Sequence, residues 1–231
     1  MDKMFCFQCE QTAGGTGCTG ARGVCGKQQD TAILQDEMTG ALIGLAMALD
    51  GQQAPESVNR LMLEAQFAAI TNVDFDDVDI RGYVDEIHDT AEAFGLSDID
   101  DFDMEQLWDA DEDTRSLKSL VLFGLRGAAA YAHHALVLGY SDDEINRFFW
   151  KGLEAIGREI SADDLLALVI ETGQVNLKCM ELLDKANTET YGTPTPTTVP
   201  LLIEKGPFIV VTGHDLLDLY KLLEQTDGKG I

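Results

Sequence analysis

Four of the five cysteines lie within twenty residues near the amino terminus, at Cys6, Cys9, Cys18 and Cys25. Their spacing, C-x2-C-x8-C-x6-C, is compact enough for one chain segment to wrap a single metal centre. The surrounding segment, residues 1–30, holds six glycines and shows no apolar periodicity. We therefore predict a loop that is organised by a metal centre rather than by a hydrophobic core.

Thiolate is the soft ligand that both iron-sulfur clusters and zinc select. The glycines let the backbone approach closely, so that amide N–H groups can donate to sulfur, and Arg22 and Lys27 add positive charge. Zinc ribbons usually separate two C-x2-C pairs by a longer stretch that carries strands, whereas the second pair here is opened to six residues. The spacing favours an iron-sulfur cluster and leaves a structural zinc site as the alternative.

The composition excludes several classes of partner. Forty-one acidic residues against 16 basic ones give a formal charge of -25, which repels nucleic acid and anionic lipid. The first residues lack the basic and apolar regions of a secretory signal, so we expect a cytoplasmic protein. In that reducing compartment a disulfide framework is not expected.

Residues 31–191 show helical periodicity, with acidic residues on the faces opposite the apolar ones. The apolar run 120–138 approaches membrane-spanning length but contains Arg126, so we interpret it as a buried central helix. Ser141 and Ser161 each stand three residues before an acidic residue, which predicts two capped helix starts. We predict six helices, at about 31–49, 55–71, 82–94 and 114–138, and after Ser141 and Ser161.

The carboxyl-terminal segment has a different amino-acid composition. Residues 192–206 contain prolines and threonines that favour an extended linker. Residues 207–212 are typical of a buried strand, and residues 214–225 of a helix, so 207–231 is predicted to begin an α/β domain. A lone strand and helix cannot bury their apolar faces. Either the chain is part of a longer protein, or this segment packs on the helices.

The residues around the cysteines, MFCFQCEQTAGGTGCTGARGVCGKQQDTAILQD, closely resemble the amino terminus of the hybrid cluster proteins, also called prismane proteins or hydroxylamine reductases. The resemblance includes the F-C-x-Q-C-E-Q-T opening and the G-x-C-G-K context of the last cysteine. It continues through Thr71–Val73, Tyr131–His134 and Val211–Leu216, and so covers essentially the whole chain.

The resemblance implies a mainly α fold, with a helical domain of two three-helix bundles behind the iron-sulfur loop and the start of a Rossmann-like α/β domain. It assigns cluster ligation to Cys6, Cys9, Cys18 and Cys25. The eight-residue gap resembles the branch with a [4Fe-4S] cluster, while the six residues before the last cysteine match the [2Fe-2S] branch. We expect [4Fe-4S], with [2Fe-2S] as the alternative.

The resemblance further implies that the full-length protein reduces hydroxylamine to ammonia and water, or nitric oxide to nitrous oxide. Its hybrid iron-sulfur-oxygen cluster is ligated from later domains, so this chain holds no catalytic residue and is expected to be inactive alone. The segment would relay electrons from an external donor protein. The alternative is a stand-alone electron-transfer or zinc-binding helical module.

Other ligand-type residues have structural explanations. Cys179 lies on an apolar stripe of the last long helix, which predicts core packing. His133 and His134 point about 100° apart on a helix and do not suit one metal. His214, at a strand-to-helix turn, fits a functional or a capping role equally well. The acidic clusters 74–79 and 98–103 lack full calcium-loop spacing and are interpreted as solvated surface.

Overall fold

Helices make up most of this chain. The computed structural model describes residues 4–10, 12–96, 100–203, 205–213 and 216–231. The helices are α1 (Gln29–Leu49), α2 (Glu56–Ala68), α3 (Asp77–Ala93), α4 (Glu105–Trp108), α5 (Glu112–Val137), α6 (Asp143–Gly157), α7 (Ala162–Tyr191) and α8 (Leu216–Thr226). Within those ranges no strand is formed, and the only β-structure is two isolated bridges. The predicted mainly α class is confirmed.

The starts of α6 and α7 show how well capping can be predicted. Ser161 Oγ accepts a hydrogen bond from Asp164 N at 3.2 Å, as expected for the α7 cap. The expectation for Ser141 is wrong. Asp142 caps α6 instead, accepting from the second and third amides of the helix at 2.8 and 3.0 Å. A carboxylate that satisfies two free amides outcompetes the hydroxyl one residue earlier.

Two elements differ from the periodicity-based prediction. Helix α3 begins at Asp77 instead of near Gly82, because the Asp76 carboxylate accepts from Val78 N at 2.9 Å and caps the helix there. Part of the acidic cluster 74–79 is therefore a helix start. The four-residue helix α4 was not predicted, since one turn is too short to show a period.

Helices α1 to α7 share one continuous hydrophobic core. Helices α5 and α7 pack along much of their length, α1 packs against α3 and α6, and α2 packs against α5. A buried hydrogen bond at 2.7 Å from Trp150 Nε1 to Asn59 Oδ1 ties α6 to α2. Phe102 N donates to Gly40 O at 3.0 Å, which holds the segment before α4 against α1.

Helices α1 and α5 are long and apolar enough to span a membrane by length and composition. In the fold, 72% of the apolar window of α1 and 50% of that of α5 are buried against other parts of the protein. Val121, Leu122 and Leu125 of α5 are fully buried. This agrees with the interpretation of α5 as a core helix.

The chain divides into two compact units, residues 1–193 and 194–231. In the second unit α8 coincides with the predicted helix, and His214 lies outside the described residues. The predicted buried strand is not formed among the described residues, and the start of an α/β domain stays a prediction. Residues 207–212 have no strand pairing, and Phe208 to Val211 are exposed. A parallel strand obtains its hydrogen bonds and burial from neighbouring strands, and the described residues supply none.

Candidate metal centre

Cys6 and Cys18 face each other across an antiparallel bridge. Cys6 N donates to Cys18 O at 3.1 Å, and Cys18 N donates to Cys6 O at 2.8 Å. Residues that exchange both hydrogen bonds project their side chains from the same side of the pair. The backbone therefore directs the thiols of two predicted ligands, one from each cysteine pair, into one region.

A tight turn connects Cys9 to this bridge. Thr12 N donates to Cys9 O at 3.2 Å, and the Thr12 hydroxyl donates to Cys6 O at 3.1 Å. A 3₁₀ turn over Ala13–Gly15 follows. At its start Ala13 N donates to the Cys18 Sγ atom at 3.4 Å.

Backbone amides stabilise the Cys18 thiolate. Hydrogen bonds from the amides of Val24 and Ala13 lower the pKa of Cys18, and the Lys27 ammonium adds a smaller effect in the same direction. N–H donors directed at sulfur favour the charged form, which is the form that binds metal. The glycine-rich loop thus brings amides to sulfur as the sequence suggested.

Glycine at position 17 is required by close packing. Gly17 has a φ of +123°, and a Cβ atom there would lie 2.6 Å from Phe5 Cε2. Only glycine meets both demands without strain. Gly17 therefore lets the chain pass the Phe5 ring immediately before Cys18 enters its bridge with Cys6.

Cys25 lies on a second turn that leads into α1. Gly23 N donates to Lys27 O at 2.7 Å, and Gly26 N donates to Gly23 O at 3.0 Å. An isolated bridge between Arg22 and Gln28 closes this segment. The turn places Cys25 just before the rigid amino terminus of α1.

Lys27 is the most deeply buried charged residue of the loop, with 2% of its surface exposed. Its Nζ atom donates to Gln35 Oε1 on α1. Burial lowers the pKa of Lys27, and the Cys6 and Cys25 thiolates oppose that shift. Burial likewise raises the pKa of Cys6, while a Gln8 amide hydrogen bond and Lys27 oppose that rise. Arg22, the other predicted cation, is exposed.

Arg126 anchors the loop to the helical core. It is 7% exposed on α5, and its guanidinium donates to Gln8 Oε1 and, at 2.7 Å, to Thr39 Oγ1. Gln8 lies between the first two cysteines, and its Nε2 atom donates to Thr71 Oγ1 at 2.8 Å. It also donates to Ala69 O at 3.2 Å. The Cys6–Cys9 turn is thereby tied to α1, α5 and the segment after α2.

Asp36 is half-buried and lies beside Lys27 and Arg126 under the loop. Burial raises the pKa of Asp36 to about 7, although Arg126, Trp108 and Lys27 favour its ionised form. All these side chains line a small cavity of about 20 Å³ together with Cys6. A cavity of that size has room for about one water molecule.

Aromatic rings form an apolar wall beside Cys6. Phe7 packs edge-on against Trp108 and Phe123, with ring centroids 5.2 and 5.4 Å apart. Phe5 lies 5.3 Å from Phe7 and 5.9 Å from Trp108. Since Phe5 and Phe7 flank Cys6, this wall shields one side of the predicted ligand set from water.

The donor set differs in its fit to the two kinds of metal centre that the spacing suggests. Among the described residues, which include all five cysteines, no three His, Cys, Asp or Glu side chains stand close enough to hold one metal ion. A zinc ion needs four ligands converging on one point. A cluster distributes its thiolates over several irons and holds them farther apart. Free thiols, amide donors to sulfur and buried cations fit an anionic cluster better than a single ion.

The remaining ligand-type residues have other surroundings. Cys179 is fully buried in the core, and desolvation raises its pKa to about 12. The core-packing prediction is confirmed. His133 stacks on Phe67 with 4.1 Å between ring centroids, and His134 lies edge-on to the same ring. These contacts fit packing roles.

Several residues of the site were not identified from the sequence. Gln8 and Asp36 lie in the segment that carries the family resemblance, but no role was predicted for either, because their partners lie far along the chain. Arg126 stands out in the sequence as a charge within an apolar helix, which argues against a membrane span but does not indicate a site. Its burial beside the cysteine loop required the fold.

This helical chain with its cysteine loop matches a known protein family. Residues 4–231 match the family model described as the Prismane/CO dehydrogenase family. The chain belongs to that family, whose prismane members carry iron-sulfur clusters.

The curated relatives that this chain matches are called hydroxylamine reductase. The chain is 43% identical to the one from Chlorobaculum tepidum, over 99% of this chain and 46% of the relative. It is 41% identical to those from Thermodesulfovibrio yellowstonii and Methanosarcina mazei, covering 48% and 47% of their lengths. The chain thus spans about half the length of the curated relatives it matches.

Proposed function

We propose that this chain is the amino-terminal part of a hydroxylamine reductase and that its loop holds a [4Fe-4S] cluster on Cys6, Cys9, Cys18 and Cys25. The observation that carries the proposal is the environment of Cys18, whose thiol receives amide hydrogen bonds while its backbone pairs with Cys6. Such an environment stabilises thiolate, the ligand form for iron. A [2Fe-2S] cluster is the alternative.

Buried positive charge supports the same assignment. Lys27 and Arg126 are both nearly inaccessible to solvent and lie in the cavity that Cys6 also lines. Two cations without an anionic partner of equal charge would be costly to bury. Asp36 balances part of this charge, and cluster thiolates would balance the rest. Hydrogen bonds and charges near sulfur also set the reduction potential of such clusters.

The role proposed for the segment is electron relay. When bound, the cluster supplies one-electron transfer. The loop has a shielded side, formed by the Phe5 and Phe7 wall, and an exposed side that includes residues 13–16 and Val24. An external electron-donor protein would dock on the exposed side. The donor is expected to tolerate or complement the strongly acidic surface.

Substrate reduction is assigned to the longer protein. Hydroxylamine, or nitric oxide, would react at a hybrid cluster held by later domains. After the four loop cysteines are assigned, the only remaining thiol is Cys179, which is buried with a raised pKa. One such thiol does not hold a second cluster. We propose a cytoplasmic protein that does not bind nucleic acid or membranes, in keeping with the charge of -25.

Anaerobic purification tests the proposal. The chain should be brown, contain about four irons and matching sulfide, and show no turnover of hydroxylamine. Two irons per chain would indicate the [2Fe-2S] alternative. A colourless protein that holds one zinc would contradict the cluster assignment. Hydroxylamine turnover with roughly twice the expected iron would contradict the assignment of catalysis to later domains.

A further inference from the structure

Helix α7 carries two apolar stripes. The first consists of buried residues that face the core, at Leu165, Leu168, Thr172, Val175 and Cys179. The second consists of exposed residues, at Leu166, Ile170, Gly173, Leu177 and Met180. Positions in the second stripe alternate by four and three residues, which is the spacing of a helix-packing seam. At about 100° per residue the stripes lie roughly 140° apart around the helix.

The first stripe packs against other helices of the same unit, whereas the second has no partner among the described residues of that unit, 4–193. Helix α5 packs along the first stripe. On the second stripe, Leu166, Ile170 and Leu177 expose 53%, 60% and 65% of their surfaces in the part of the chain that the structure describes. A helix that is apolar on two sides is typical of one buried between two partners.

Gly173 lies at the centre of the exposed stripe, and no contact among the described residues requires a glycine there. A Cβ atom there would meet nothing within 4 Å. Glycine in the interior of a helix is unfavourable relative to alanine. It is useful where another backbone approaches the helix closely.

The charge around the stripe indicates an apolar partner. In a chain with a formal charge of -25, the flanking positions Ala167, Val169, Gln174 and Asn176 carry no charge. Charge-poor flanks around an apolar seam are a feature of buried interfaces. Charged residues on this side of the helix, such as Asp163 and Glu181, lie beyond the two ends of the stripe.

The size of the stripe decides between a second copy and a tethered partner. From Leu166 to Met180 it is about 21 Å long. One helix face of that length offers only a few hundred Å², well below the roughly 800 Å² per partner of a stable interface between separate proteins. A covalently connected segment needs far less area, because tethering raises its effective concentration. Dimerisation would also bring together two copies that each carry a large negative charge, and these would repel one another.

We propose that the exposed stripe of α7 is the docking surface for an uncharged apolar helix in the polypeptide that makes up the other half of the longer relatives. The chain covers only 46% of the Chlorobaculum tepidum relative, so more than half of that protein is available to supply it. This inference rests on the proposal that the chain is part of a longer reductase. It identifies the exposed stripe of α7 as the surface that joins this chain to the rest of the longer protein.

Hydroxyl-radical footprinting tests the surface directly. The chain would replace the matched half of the Chlorobaculum tepidum protein in a chimera, and side-chain oxidation would be compared with that of the chain alone. Oxidation at Ile170, Leu177 and Met180 should fall at least several-fold in the chimera. Val78, which is 78% exposed on α3, serves as the control. If the chimera does not fold, the chain is mixed with the separately produced second half of the relative.

A variant that introduces a charge provides the matched test. Leu177→Lys should leave the melting temperature of the chain alone unchanged and lower that of the chimera, whereas Val78→Lys should change neither. Unchanged stripe oxidation in both the chimera and the mixture would overturn the proposal. So would protection of the stripe in the chain alone that rises with concentration, since it would show a second copy. The brown colour of the chain is independent of these outcomes, so a colourless chain with a protected stripe would contradict only the cluster.

Discussion

The cysteine loop and the helical core are held together in different ways. Between Met4 and Gln28 most order comes from backbone hydrogen bonds, one buried lysine and contacts to Arg126. Helices α1 to α7 instead share a core of fully buried aliphatic and aromatic side chains. The core can form from hydrophobic burial alone. The loop has few buried apolar groups, so its order should depend on the metal centre.

The largest expected effect separates the two regions through their cysteines. Cys18→Ser removes the thiol that receives the amide hydrogen bonds and should abolish the visible absorbance while the far-ultraviolet helix signal persists. Cys179→Ser should keep the absorbance and iron content and lower the free energy of unfolding by about 1–3 kcal/mol, because a hydroxyl replaces a buried apolar group. Equal loss of iron in both variants would show that the ligand set is wrong.

Arg126 tests whether the loop and the core are coupled. Arg126→Met leaves Asp36 without the nearer of its two buried cations and Gln8 without a donor, so we expect a loss of about 3–5 kcal/mol in unfolding free energy and a lower iron content. The matched control is Arg158→Met, because Arg158 forms exposed ion pairs with Glu154 and Asp50. It should cost less than about 1 kcal/mol. Chemical denaturation and iron analysis of the two variants decide the point.

The titration of Asp36 should make the stability of this junction dependent on pH. Its folded pKa of about 7 lies above the ordinary value of 3.8. The protonated carboxyl therefore favours folding, fully below about pH 4, and this contribution is lost as the pH rises through 7. Between pH 5 and 7 wild-type stability should fall by up to about 1.4 kcal/mol per pH unit from this group.

Asp36→Asn removes that titration. Its unfolding free energy should decline less steeply between pH 5 and 7 than that of the wild type, as measured by urea denaturation at several pH values. Identical slopes would mean that water reaches Asp36 and keeps its pKa low.

The smallest expected effect lies wholly within the helical core. Ser161→Ala should cost about 1 kcal/mol through loss of the α7 cap, whereas Ser141→Ala should leave the α6 cap intact, because Asp142 forms it, and lose only the hydrogen bond accepted from Asn146. Neither should change the iron content. Thermal melts with parallel absorbance spectra test both statements. A loss of iron in either variant would show that the core and the loop are not separable.

The accuracy of the sequence predictions follows the range of the interactions behind them. The helices with sustained periodicity, and the Ser161 cap, were predicted because their determinants lie within a few residues. The strand at 207–212 depends on neighbouring strands, which the described residues do not supply, and α4 was missed because it is a single turn. The four loop cysteines were predicted as metal ligands from their spacing, which is local in the sequence. Arg126 and Gln8 were missed as a pair because 118 positions separate them.

The aromatic wall gives the protein a built-in optical probe. The chain has two tryptophans, of which Trp108 packs against the rings that flank Cys6, while Trp150 donates to Asn59 between α6 and α2. A chromophore bound at the loop would absorb the emission of the nearer indole much more strongly than that of the farther one. Fluorescence of a Trp150→Phe variant would then report the filling of the loop in real time, with no added dye.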